Sequence, residues 1–68
     1  MNLRERRIEK GMSQEQLAKA VGKRQSSITR FERGLTSPKP ATAKKIAAVL
    51  DFDWTEFYED QEPEEAEN

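Results

Sequence analysis

Neither cysteine nor histidine occurs in the 68 residues. Without cysteine there is no disulfide and no thiolate metal ligand. Without histidine the commonest general base and the commonest metal ligand are missing together. Glycine and proline are scarce, three of each, and they punctuate the chain at Gly11, Gly22, Gly34, Pro38, Pro40 and Pro63. No apolar run approaches the ~20 residues that span a bilayer, and the N-terminus has no signal-peptide hydrophobic region. The expectation is a cytoplasmic protein with no membrane partner.

The same inventory argues against catalysis. A reaction would have to rest on a carboxylate pair, a lysine, or a serine with some other base. There is no glycine-rich phosphate loop and no metal-spaced acidic cluster before the last ten residues, and a chain this short has little with which to wall a pocket. The sequence therefore predicts no enzyme, no cofactor, no metal and no small-molecule substrate. Domains of this size bury only about 60% of their unfolded surface, so the length allows one small domain, which leans on compact helix packing, a staple or a partner.

What is present is charge, unevenly placed. The net charge is −1, from 12 basic and 13 acidic residues. Six of the acids (Glu59, Asp60, Glu62, Glu64, Glu65 and Glu67) fall in residues 59–68, which hold no base. Residues 1–58 therefore carry 12 bases against 7 acids, a net of +5. The body is basic, and the tail, acidic and almost without apolar side chains, reads as disordered.

Between the glycines the apolar spacing is helical, and no strand candidate or internal repeat stands out. Leu3 to Lys10 reads as a short helix with Leu3 and Ile8 inward, closed by Gly11. Ser13 followed by Gln16 is a capping box, opening a helix to Val21 with Leu17, Ala20 and Val21 on one face and Gly22 as its left-handed end. Gln25 to Arg33 is a third helix, with Ile28 and Phe31 inward and Gly34 as terminator. Pro40 suits the first position of a fourth, where Ala43, Ile46, Ala47 and Leu50 recur at i, i+3, i+4 and i+7. Asp53 or Thr55 would cap a last turn bearing Trp54, Phe57 and Tyr58. Two short helices meeting at a tight glycine turn, the second polar and basic outside, describe a helix-turn-helix. Small residues are needed where they cross, a part that falls to Ala18 and Ser27. Gln25, Ser26, Thr29 and Arg30 are then left on the outer face of the third helix.

The stretches "LRERRIEKGMSQEQLAKAVG" and "SSITRFERG", with the Pro-x-Pro-x-Thr-Ala-x-x-Ile-Ala-x-x-Leu pattern after them, resemble the Cro/repressor, or XRE-type, helix-turn-helix family from about Leu3 to Phe57. The resemblance implies an all-α fold, a compact five-helix lambda-repressor-like domain over residues 1–58, with 59–68 as an acidic disordered tail. It implies a non-catalytic regulator of transcription, a repressor that binds double-stranded DNA as a homodimer on a palindromic operator. By position, Gln25, Ser26, Thr29 and Arg30 correspond to base-reading residues, for which glutamine suits adenine and arginine suits guanine. Ser13, Gln14, Lys23, Arg24, Arg33, Thr36 and Ser37 fall where phosphate is held or approached. Arg7 and Glu32 match a partly buried ion pair, and Leu35, Pro38, Phe52, Trp54 and Phe57 are the surface left for a dimer contact.

Three positions depart from the family pattern. Arg24 stands where a serine or threonine N-cap is usual, Lys23 where an apolar residue is usual, and Asp51 where glycine usually ends the fourth helix. Lys19, Lys44 and Lys45 read as solvated face. A competing reading is an antitoxin or anti-repressor whose main partner is another protein, with DNA binding secondary. RNA is disfavoured because no aromatic lies on the basic face to stack a base.

Overall fold

The computed structural model describes residues 2–58, which form four α-helices and one short 3-10 helix, with no strand among the described residues. The expected disordered tail at 59–68 lies outside the described residues. Helix α1 spans Leu3–Glu9, α2 Gln14–Val21, α3 Gln25–Glu32 and α4 Pro40–Leu50; the 3-10 helix is Trp54–Tyr58. Five α-helices were expected, and the fifth element is a single tight 3-10 stretch. Asp53 explains why it starts where it does: its Oδ1 accepts from the Thr55 N–H at 3.0 Å and from the Thr55 hydroxyl at 2.8 Å. Five residues are too few to repay α-helix nucleation, so the tighter form suffices.

Most starts and stops have a local cause. Asn2 caps α1 by accepting from the Glu5 N–H at 3.0 Å. The α2 capping box is complete, with Gln16 N–H donating to Ser13 Oγ at 3.0 Å and Ser13 N–H donating to Gln16 Oε1 at 2.8 Å. At the far end Gly22 adopts φ +72, and the Lys23 N–H reaches back to the Ala18 carbonyl at 2.9 Å. The same closure ends α4, where Phe52 N–H donates to Ala47 O at 3.0 Å, but the left-handed residue there is Asp51, with φ 64. Arg24 and Lys39, which precede α3 and α4, make no side-chain cap.

A Cβ in the left-handed region costs about 1–2 kcal/mol, part of which glycine gives back through its own unfolded-state entropy. The Asp51 carboxylate has only an exposed ion pair with Lys10, 3.7 Å away, to set against that, and such pairs contribute little. Asp51→Gly is therefore expected to stabilise the domain by about 0.5–1 kcal/mol, read as a raised midpoint in urea with an unchanged slope.

The core is built from α2, α3 and α4. Leu17, Ile28, Ile46 and Leu50 are fully buried and pack with Leu3, Ala18 and Val21. Met12, Phe31, Val49, Phe52 and Phe57 seal its edge. Two sequence expectations are corrected. Ile8 is 50% exposed, and the second inward residue of α1 is Arg7. Leu3 and Arg7 are one turn apart, at i and i+4, whereas Ile8 at i+5 points well away. On α2 it is Ala18, not the exposed Ala20, that joins Leu17 and Val21 inside.

Two contacts fix the ends of the bundle. Arg6 pairs with Glu56 and lies over the Phe52 ring, 5.0 Å from its centroid. The Tyr58 hydroxyl donates to the Pro38 carbonyl at 2.7 Å and so ties the 3-10 helix to the loop between α3 and α4.

Candidate nucleic-acid interface

Helix α3 is bifacial because of where its eight residues point. Ile28 is fully buried and Phe31 half-buried, while Gln25, Ser26 and Arg30 are exposed and Thr29 is partly so. Gly22 and the two residues after it make the turn that sets α3 against α2. Lys23 and Arg24 in that turn, and Arg33 just past the end of α3, are exposed, as are Thr36 and Ser37 in the following loop. Ser13 at the start of α2 is exposed, and its hydroxyl oxygen is already engaged as the cap acceptor.

The single acid of α3 is turned inward. Glu32 has a side chain only 4% exposed, and Arg7 opposite it 10%. Arg7 Nε donates to Glu32 Oε2 at 2.5 Å and Nη2 to Oε1 at 3.3 Å, while Nη1 donates to the Met12 carbonyl at 2.8 Å. The guanidinium thus bridges α1, the α1–α2 turn and α3. Burial of Glu32 opposes its charge. Hydrogen bonds from Arg7 and Gln14, with the nearby charges of Arg7 and Arg4, outweigh that and hold the carboxyl below its ordinary 4.5. An α3 whose one carboxylate is sequestered offers phosphate a face with no exposed acid.

Gln14 is the hub between these groups. Its Nε2 donates to Glu32 Oε1 at 3.0 Å, and its Oε1 accepts from Thr29 Oγ1 at 3.0 Å and from Gln25 Nε2 at 3.3 Å. Sequence position marks Gln14 only as a phosphate contact. Nothing local could show that its side chain would lie along α3, because its partners are 11, 15 and 18 residues away.

The expected dimer surface is mixed. Leu35 is 60% exposed and, with Ile8, makes up the exposed large apolar side chains among the described residues. Phe52, Trp54 and Phe57 are half-buried, and Phe52 and Phe57 already pack on the core. Pro38 is buried, in the loop that Tyr58 anchors through the Pro38 carbonyl, and so is not part of an exposed patch. Lys44, expected to be merely solvated, lies over Trp54, 5.0 Å from the ring centroid. No group of residues that could hold a metal ion is present among the described residues, and no helix there is long and apolar enough to cross a membrane.

The family model described as helix-turn-helix matches residues 3–57. An uncharacterized HTH-type transcriptional regulator of Bacillus subtilis (strain 168), YqaF, is 43% identical over 58 residues, covering 85% of this chain and 76% of its own. An uncharacterized HTH-type transcriptional regulator of Archaeoglobus fulgidus is 46% identical over 48 residues, covering 71% of this chain and 69% of its own. No solved structure matches at a significant level.

Proposed function

The chain belongs to the XRE-type helix-turn-helix family of DNA-binding transcriptional regulators, and from that premise we propose that it is a repressor that binds a palindromic operator as a homodimer. The observation that carries the reading is the division of α3, with Ile28 fully buried and Gln25, Ser26 and Arg30 on the open side. An α-helix fits the major groove, where glutamine pairs bidentately with adenine and arginine with guanine, and where the Thr29 methyl can meet a thymine methyl.

Phosphate contacts fix the register. Lys23 and Arg24 flank the start of α3 and Arg33 its end, while Ser13 and Gln14 sit where the free N–H groups of α2 favour an anion. Thr36 and Ser37 lie in the loop beside them. Two copies of α3 must stand about 34 Å apart to enter successive major grooves. Leu35, with the aromatic edge at Trp54, is the contact that holds them so. Such a patch is small, and DNA strengthens the dimer by binding both copies at once. Repression then follows from occlusion of the promoter by a bound dimer.

A salt titration tests this reading. Each protomer brings three cations to the phosphates (Lys23, Arg24 and Arg33), hence six per dimer, which gives a slope of about −5 in log affinity against log salt. Affinity for DNA should fall about a thousandfold between 50 and 200 mM salt. A slope near −3 would mean that one protomer binds, and a flat line would overturn the interface.

Arg24 separates the two demands on that turn. Arg24→Ser supplies the missing cap of α3 and is expected to add about 1 kcal/mol of stability. It removes one cation per protomer, so the salt slope should shrink by about 2 per dimer. Thermal melting and anisotropy on the same variant read both effects.

A further inference from the structure

Gln14 meets two kinds of neighbour, and they dictate which way its amide faces. A carboxylate has no proton to give, so toward Glu32 it is Gln14 Nε2 that must point, as the 3.0 Å bond shows. Gln14 Oε1 is thereby turned to α3, where Thr29 Oγ1 and Gln25 Nε2 donate to it at 3.0 and 3.3 Å. Gln25 in turn has one N–H spent inward, which leaves its other N–H and its Oε1 for the groove. That outward pair, one donor and one acceptor, matches adenine, which offers N7 as acceptor and the N6 amine as donor. We infer that Glu32 is a specificity-determining positioning residue: through Gln14 it fixes the amide polarity, and so the base preference, of Gln25. The inference rests on the reading of α3 as the base-reading helix.

The chemistry of Glu32→Gln follows from the same distances. Arg7 holds Oε2 at 2.5 Å and Oε1 at only 3.3 Å. The introduced amide cannot accept from both Arg7 donors; it loses least by keeping its oxygen at the shorter contact, gives up the bond from Nη2, and presents its NH2 where Oε1 stood, facing Gln14. Two donors cannot face each other, so Gln14 turns over to offer Oε1 to that NH2 and its own NH2 to α3. Thr29 loses nothing by this, because its hydroxyl also lies 3.2 Å from the Gln25 carbonyl. Gln25 then turns its Oε1 inward to accept from Gln14 and its NH2 outward. Two outward donors match the N7 and O6 acceptors of guanine.

The experiment is a competition titration on duplexes that carry each of the four bases at the position where Gln25→Ala changes preference. Wild type, Glu32→Gln and Gln14→Met are compared, each first shown folded by circular dichroism. Wild type should prefer adenine there, and Glu32→Gln should shift the adenine-to-guanine ratio about tenfold toward guanine, with preferences elsewhere unchanged. Gln14→Met cuts the relay while leaving Arg7 and Glu32 paired, and should flatten the discrimination at that one position. A purely structural Glu32 would lower affinity for all duplexes together. Retention of the wild-type preference by folded Glu32→Gln overturns the inference, as does its retention by Gln14→Met if Glu32→Gln does not fold. If Gln25→Ala alters preference at no position, the base-reading assignment of α3 has failed, and the inference with it.

Discussion

Arg7→Met is expected to destabilise the domain by about 3–5 kcal/mol, since removing one partner of a buried ion pair strands the other. Its Glu32 partner is 4% exposed and is left with the Gln14 amide as its donor, and the Met12 carbonyl loses its donor as well. Small domains hold only about 5 kcal/mol in total, so the variant should be largely unfolded near room temperature. The double change Arg7→Met with Glu32→Leu exchanges the pair for apolar contact and should recover much of the loss. Acid narrows the gap between wild type and Arg7→Met. The Glu32 pKa is depressed in the folded protein, so the pair's contribution is full above the ordinary value of 4.5 and is lost as pH falls through the lower folded value. Urea melts of both proteins at neutral pH and near pH 3 measure it. Arg7→Met melting with wild type would show that the pair carries no stability.

The second large effect is on DNA. Arg30→Ala should cost about 1–3 kcal/mol on the cognate duplex and relax the preference at one base position per half-site. Arg33→Ala should instead weaken cognate and scrambled duplexes alike and lower the salt slope by about one per protomer. The distinction is between a bidentate contact to one base and a charge beside the backbone. Equal loss on both duplexes for Arg30→Ala would move that residue to the phosphate group.

Apart from the Arg7–Glu32 pair, which only the resemblance implies, the features legible in the sequence are those with local causes. The Ser13–Gln16 capping box, Gly22 in its left-handed turn, Pro40 at the first position of α4 and the i, i+3, i+4, i+7 stripe of that helix each depend on neighbours within two turns. The uncapped Arg24 and the left-handed Asp51 were equally visible as departures from a pattern. Apolar spacing alone puts Ile8 on the inner face of α1 because it does not mark a buried cation. A cation took that place, which is possible only where acceptors on Met12 and on α3, 25 residues on, come to meet it. The Arg6–Glu56 pair spans 50 residues and the Tyr58–Pro38 bond 20. Contacts of that range belong to tertiary packing and leave no periodic trace. The role of Gln14 was hidden for the same reason. The hydrogen bonds that orient it come from both ends of α3, and only the α2–α3 crossing brings them together.

The measurement that tests the central claim most directly is selection of binding sites from random duplexes by the purified full chain. The account predicts enrichment of a palindromic sequence with half-sites one helical turn apart, about 10 base pairs, and a narrowed preference at the positions that Gln25 and Arg30 face. The selected site should bind at least about a thousandfold tighter than scrambled DNA at physiological salt. A pool that stays random after repeated rounds, from protein that is folded and binds DNA, would contradict it.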